Sequence, residues 1–148
     1  MVTKHFIKTI NAPREKVWEV LWGDETYPAW TQVFSPPGSG ASTAKTDWQK
    51  GSKVLFVDSS DSGMVSSVHD KRDNEFMSFR HLGEVNNGVE KVSEESDWYG
   101  AMENYTLKEV DGKTELTIDI DLTEEFQDYF NEAWPKALDK LKELSEQN

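Results

Sequence analysis

Phe126, Tyr129, Phe130, Ala133, Trp134, Ala137, Leu138, Leu141 and Leu144 recur at spacings of three and four, an apolar stripe along about five turns of helix. Thr123 suits the start of this helix, and Glu124, Glu125 and Asp128 complement the dipole there, with Lys140 and Lys142 towards the other end. Pro135 lies within the stripe and removes one backbone hydrogen bond, so a kink, or a break after a first short turn, is expected. A helix with such a stripe cannot bury it alone. It needs a broad apolar face to lie on, and the rest of the chain has to supply that face.

The preceding sequence reads as strands. Leu116, Ile118, Ile120 and Leu122 alternate with Thr117, Asp119 and Asp121, the period of a strand with one buried and one wet face. Strand-like runs also cover residues 2–10, 53–57, 63–68, 76–82 and 102–109, with a weaker one ending near Trp48. The turns between the later runs are short, Asp111-Gly112 being the clearest hairpin signal, so successive strands should be antiparallel neighbours. After the first strand, Asn11-Ala12-Pro13 opens a short helix with Val17, Trp18 and Leu21 on one face, which Gly23 ends. Asp24 can cap a second short helix through Tyr27 and Trp30. Pro36, Pro37, Gly38 and Gly40 make residues 35–46 a surface loop, and residues 84–99 are either an irregular edge strand or a loop over the sheet. The expected class is α+β: one domain spanning residues 1–148, with a long C-terminal helix across a curved antiparallel sheet.

Composition removes several functions. The 148 residues carry 16 basic and 28 acidic side chains, a formal charge of −12 that repels a phosphate backbone and argues against nucleic acid. Without cysteine there is no disulfide framework, zinc ribbon, iron–sulfur site or thiol nucleophile, which fits a reducing cytoplasm. No stretch has the length and apolarity of a membrane span or signal peptide, so membrane insertion is not expected. Aromatic residues nevertheless make up 11% of a chain only 36% hydrophobic. Rings at that density indicate a folded protein, in which they either fill a core or line a hollow.

Four segments carry a family resemblance: Ile10-Asn11-Ala12-Pro13-Arg14-Glu15-Lys16-Val17-Trp18-Glu19-Val20-Leu21, Phe79-Arg80-His81-Leu82-Gly83-Glu84, Glu103-Asn104-Tyr105-Thr106-Leu107 and Ala133-Trp134-Pro135-Lys136-Ala137-Leu138-Asp139-Lys140-Leu141. With the element order, they make the chain resemble the SRPBCC/START superfamily, the helix-grip fold of the birch pollen allergen. Within it, the chain is similar to the homologues of the activator of the heat-shock chaperone ATPase, over roughly residues 4–144. Gly51-Ser52 and Ala133 depart from glycines usual in the family, at positions that shape turns and helix packing. The resemblance implies a cavity between sheet and helix, used in the superfamily for lipids, sterols, polyketides or other apolar and aromatic molecules. Fold alone does not assign a role.

The remaining chemistry is sparse. His5, His69 and His81 have no metal-ligand spacing, so no metal and no organic cofactor is expected. Asp119, Asp121, Glu124, Glu125 and Asp128 read as solvated, and there is neither a Gly-x-Ser-x-Gly nor a phosphate-binding glycine loop. The aromatic residues are the functional lead. Phe126, Phe130 and Trp134 on the helix face strands supplying Phe56, Phe79 and Tyr105, and these either pack as core or line a pocket. In the second case Tyr105, His81 and Arg80 are its polar anchors, Trp22, Trp30 and Phe34 its rim, and residues 35–46 its gate. Three functions follow: binding of a flat apolar ligand, interaction with a chaperone, or a cyclase- or hydrolase-type reaction using His81, Tyr105 or a buried carboxylate. A monomer or weak dimer is expected.

Overall fold

Leu116, Ile118 and Leu122 of the last strand are buried completely and Ile120 almost so, each contributing roughly 1.5–3 kcal/mol on leaving water. The computed structural model containing them describes residues 1–34, 42–95 and 99–147. The strands are β1 (Val2–Ile10), β2 (Thr43–Lys45), β3 (Lys53–Val57), β4 (Gly63–Arg72), β5 (Phe76–Asn86), β6 (Val89–Val92), β7 (Met102–Val110) and β8 (Lys113–Leu122). The helices are α1 (Arg14–Trp22), α2 (Thr26–Thr31) and α3 (Gln127–Glu146). All eight strands form one antiparallel sheet in the order β1-β8-β7-β5-β4-β3-β2, with β6 paired to the end of β5. This is the α+β helix-grip arrangement expected from the sequence.

Two irregularities bend the sheet. Val65 pairs with Gly83 but Ser66 with His81, leaving Leu82 over; Val68 pairs with Phe79 but Asp70 with Ser78, leaving His69 over. Each extra residue bends its strand and increases the local twist. Met77, Phe79 and His81 are therefore buried on the inner face, while beyond Leu82 the alternation reverses and Val85 joins Val57 and Val65 in a small outer cluster.

The turns follow the sequence. Asp111 and Gly112 have φ of 53° and 79°, and Asn87 and Gly88 have 50° and 85°, the left-handed pairs of tight hairpins. The second hairpin settles residues 84–95: β5 runs on to Asn86, and Val89–Val92 return as an exposed edge strand. Residues 96–98 of that segment lie outside the described residues. Residues 43–45, expected in a loop, form β2 against β3, and this strand ends at Lys45 rather than near Trp48. Trp48 instead sits in a turn at φ 62°, a strain of about 1–2 kcal/mol for a bulky residue. Its ring lies 5.2 Å from that of Trp22 and 6.2 Å from that of Phe79, contacts large enough to hold the turn.

Side chains from its neighbours finish α1. The Thr26 hydroxyl donates to the Val20 carbonyl at 2.6 Å and Trp30 Nε1 to the Leu21 carbonyl at 3.1 Å, satisfying acceptors that a helix end leaves open. These bonds fold α2 back on α1. The N-cap of α2 is Glu25 rather than Asp24, with no side-chain cap, because the corner is fixed by Thr26 and Trp30 instead. At the other end of α1, the buried Thr114 hydroxyl donates to the Ala12 carbonyl at 2.7 Å.

A short 3-10 turn, Glu124–Phe126, leads into α3, which is continuous through Pro135. The break that Pro135 suggested is absent; Pro135 and Asn131, whose carbonyl loses its partner, both lie on the exposed side, where water replaces the bond. Ala133, Trp134, Ala137, Leu138 and Leu141 are buried, and α3 packs on β1, α1 and α2. Phe126 and Tyr129, at the start of the stripe, are exposed rather than buried. Among the described residues no helix is long and apolar enough to cross a membrane.

Thr114→Val keeps shape and burial but leaves the Ala12 carbonyl unsatisfied. Urea unfolding should show a loss of about 1–3 kcal/mol with an unchanged slope; no loss would mean this bond does not hold α1 to the sheet.

Candidate functional site

The rings divide into two groups. Trp22, which α1 lays over the inner face, is 5.4 Å from Phe79, 5.0 Å from Tyr105 and 5.2 Å from Trp48, a packed aromatic layer. Past it, α2, β3, β7 and the start of α3 stand apart around a cavity of about 570 Å³. Its walls include Tyr27, Trp30 and Phe34 from the helical corner, Phe56 and Met64 from β3 and β4, Tyr105, Ile120 and Leu122 from β7 and β8, and Phe126, Tyr129, Phe130 and Trp134 from the C-terminal helix and its lead-in. Phe34 and Trp134 meet at 4.8 Å, Phe34 and Phe130 at 6.0 Å, and the Tyr129 hydroxyl donates to the Phe34 carbonyl at 2.8 Å. These contacts join α3 to the helical corner beside the cavity.

Eight of the nine side chains singled out from the sequence border this space: Trp30, Phe34, Phe56, His81, Tyr105, Phe126, Phe130 and Trp134. Phe79 does not; it is fully buried behind Phe56 and under Trp22, as core. Trp22 belongs to the same layer rather than to a rim. Arg80 leaves on the opposite face of β5, its guanidinium 5.2 Å from the centre of the Tyr99 ring, and is no anchor. The gate expected in residues 35–46 falls mostly on 35–41, outside the described residues; Ser42 borders the cavity.

A chain of polar groups crosses one wall. The Ser66 hydroxyl lies 2.6 Å from His81 Nδ1, His81 Nε2 lies 3.5 Å from Glu103 Oε1, and the Tyr105 hydroxyl donates to Glu103 Oε2 at 2.5 Å. A carboxylate only accepts, so the neutral tautomer that suits Glu103 carries its proton on Nε2, and in that tautomer Ser66 donates to Nδ1. Glu103 thus collects the chain. Burial first, then the Glu103 charge, pushes the Tyr27 and Tyr105 phenols well above their usual value, because a second negative charge in a dry site is costly. Sequence reading did not single out Glu103, Ser66, Tyr27 or Met64. For Glu103 a signal existed: with Tyr105 and Leu107 it occupies alternate positions on β7, so it must face inward with them.

His5 pairs with Asp119 on the outer face, and His69 is exposed. Among the described residues no three His, Asp or Glu side chains converge as a metal-ligand set. Asp121 borders the cavity while accepting from the Thr3 hydroxyl and the Met102 amide.

The raised phenols have a measurable consequence. A phenol whose folded value is raised leaves stability intact below the unfolded value near 10; as pH rises from there towards the folded value, the unfolded chain ionises first and stability is lost. Absorbance titration should show Tyr27 and Tyr105 ionising only together with alkaline unfolding, and Tyr27→Phe with Tyr105→Phe should remove that late step. Ionisation of both near pH 10 in the folded state would contradict the burial.

No curated protein matches the chain. Solved structures do: protein Ms6760 from Mycobacterium smegmatis is 18% identical with TM-score 0.71, over 96% of this chain and 89% of that one. The Aha1 dimer from Colwellia psychrerythraea is 21% identical with TM-score 0.72, over 99% and 97%. CalU16 from Micromonospora echinospora is 14% identical with TM-score 0.67, over 97% and 65%. At these identities the likeness is one of fold. A family model, however, matches residues 11–146, nearly the whole length, and by it the chain belongs to the Activator of Hsp90 ATPase homolog 1-like proteins.

Proposed function

We propose that this protein binds a small apolar or aromatic molecule, of lipid, sterol or polyketide kind, in the cavity between the sheet and α3. The observation that carries the reading is the wall itself: rings from four separate parts of the chain border an open space of about 570 Å³, a volume within the usual range for small-molecule sites. A core built only for stability loses free energy with every void it leaves. Nine aromatic side chains, Tyr27, Trp30, Phe34, Phe56, Tyr105, Phe126, Tyr129, Phe130 and Trp134, offer stacking faces, and few polar groups interrupt them.

A thermal-shift screen against polycyclic aromatics, sterols and fatty alcohols tests this. At about 100 times its dissociation constant a bound ligand should raise Tm by about 5 °C or more. Met64→Trp, which places a large ring in the cavity, should keep the far-ultraviolet spectrum and abolish the shift. No shift from any class, or one that survives Met64→Trp, would overturn the reading.

The family description favours a second reading, action on the ATPase of an Hsp90-type chaperone. Unchanged ATP turnover by such a chaperone at saturating protein would remove it.

A further inference from the structure

The charge of the cavity wall is one-sided. Among the described residues lining it, Glu103 and Asp121 are acidic and none is Lys or Arg. Asp121 is committed to Thr3 and Met102, whereas Glu103 is not saturated: Tyr105 occupies Oε2, and the His81 Nε2 facing Oε1 stands at 3.5 Å. A carboxylate offers about four acceptor positions, so Glu103 has room for a further donor. Three of the wall's own hydroxyl donors are spent on the protein. Tyr129 gives its proton to Phe34, Thr31 to Tyr27 and Tyr105 to Glu103, which leaves the Tyr27 hydroxyl and the His81 ring beside Glu103. Trp134 Nε1 has no partner, but it is fully buried.

An occupant therefore meets an acceptor with spare capacity, negative charge, and ring faces whose electron density attracts cations. A carboxylate or phosphate head would meet no Lys or Arg among the described residues of the wall, and in a partly dry site its repulsion by Glu103 is poorly screened. We infer, building on the cavity reading above, that the ligand is an apolar ring system whose polar group is a hydrogen-bond donor seated on Glu103, an ammonium in preference to a hydroxyl, and that acidic lipids are excluded. The adaptable hydroxyl of Tyr27, whose own titration feels the Glu103 charge, lies on the same wall and can turn to accept from the same head group.

Three probes sharing one ring system separate these terms: 1-naphthylmethylamine, 1-naphthylmethanol and 1-naphthoate, titrated calorimetrically into the whole protein at neutral pH. The amine should bind tightest and the naphthoate weakest, with about tenfold or more between them. Glu103→Gln keeps the size of the side chain and removes its charge; it should erase the advantage of the amine over the alcohol while changing alcohol affinity by less than about threefold, which also reports that the variant is folded. Naphthoate binding as tightly as the amine, or an amine advantage that survives Glu103→Gln, would overturn the inference while alcohol binding left the cavity reading standing. Failure of all three to bind would overturn both.

Discussion

A helix about 10 Å across cannot cover a sheet whose main path of seven strands, at about 4.8 Å spacing, is close to 30 Å wide. The sheet has to curl, and whatever α3 leaves uncovered has to be closed by something else. The extra residues Leu82 and His69 bend β4 and β5 in the middle of the sheet, and the α1–α2 corner covers the side that α3 does not reach. Where these two solutions meet, neither fills the space. The hollow lies at that junction, bordered by Trp30 and Phe34 from the corner and Phe130 and Trp134 from the helix.

The same constraint explains why the rings have two roles. Trp22 is pressed by α1 onto Phe79 and Tyr105, so those contacts are core. Trp30 is held a turn away by its bond to the Leu21 carbonyl, with one part of its ring against Tyr27 and another on the cavity. Stability and site are thus built from neighbouring residues of a single aromatic cluster. Loosening the α1–α2 corner should affect both.

Periodic features were legible in the sequence. The alternation of β8 and the stripe of α3 specify their faces directly, and Asp111-Gly112 specifies its turn. What escaped depended on pairing. Gly83 stands beside the extra residue Leu82, but a glycine in a strand does not say which way the faces turn, and nothing marks His69, so the reversal that sends Val85 outward appears only with the register. Phe56 and Phe79 share an inward position, yet one borders the cavity and the other is core, because Trp22 comes down on Phe79. Glu103 was hidden among the polar residues of β7, although its spacing from Tyr105 gave its direction; its importance comes from His81 on the neighbouring strand, a contact between distant parts of the chain.

The account rests on an open, apolar interior. Crystals of the protein held under xenon pressure test that most directly, since xenon enters apolar cavities and leaves packed cores empty. Xenon density between Phe56, Ile120 and Phe130, which face the space from the sheet and from the helix, is the predicted result. Side chains of those residues closed against one another, with no xenon between them, would contradict it.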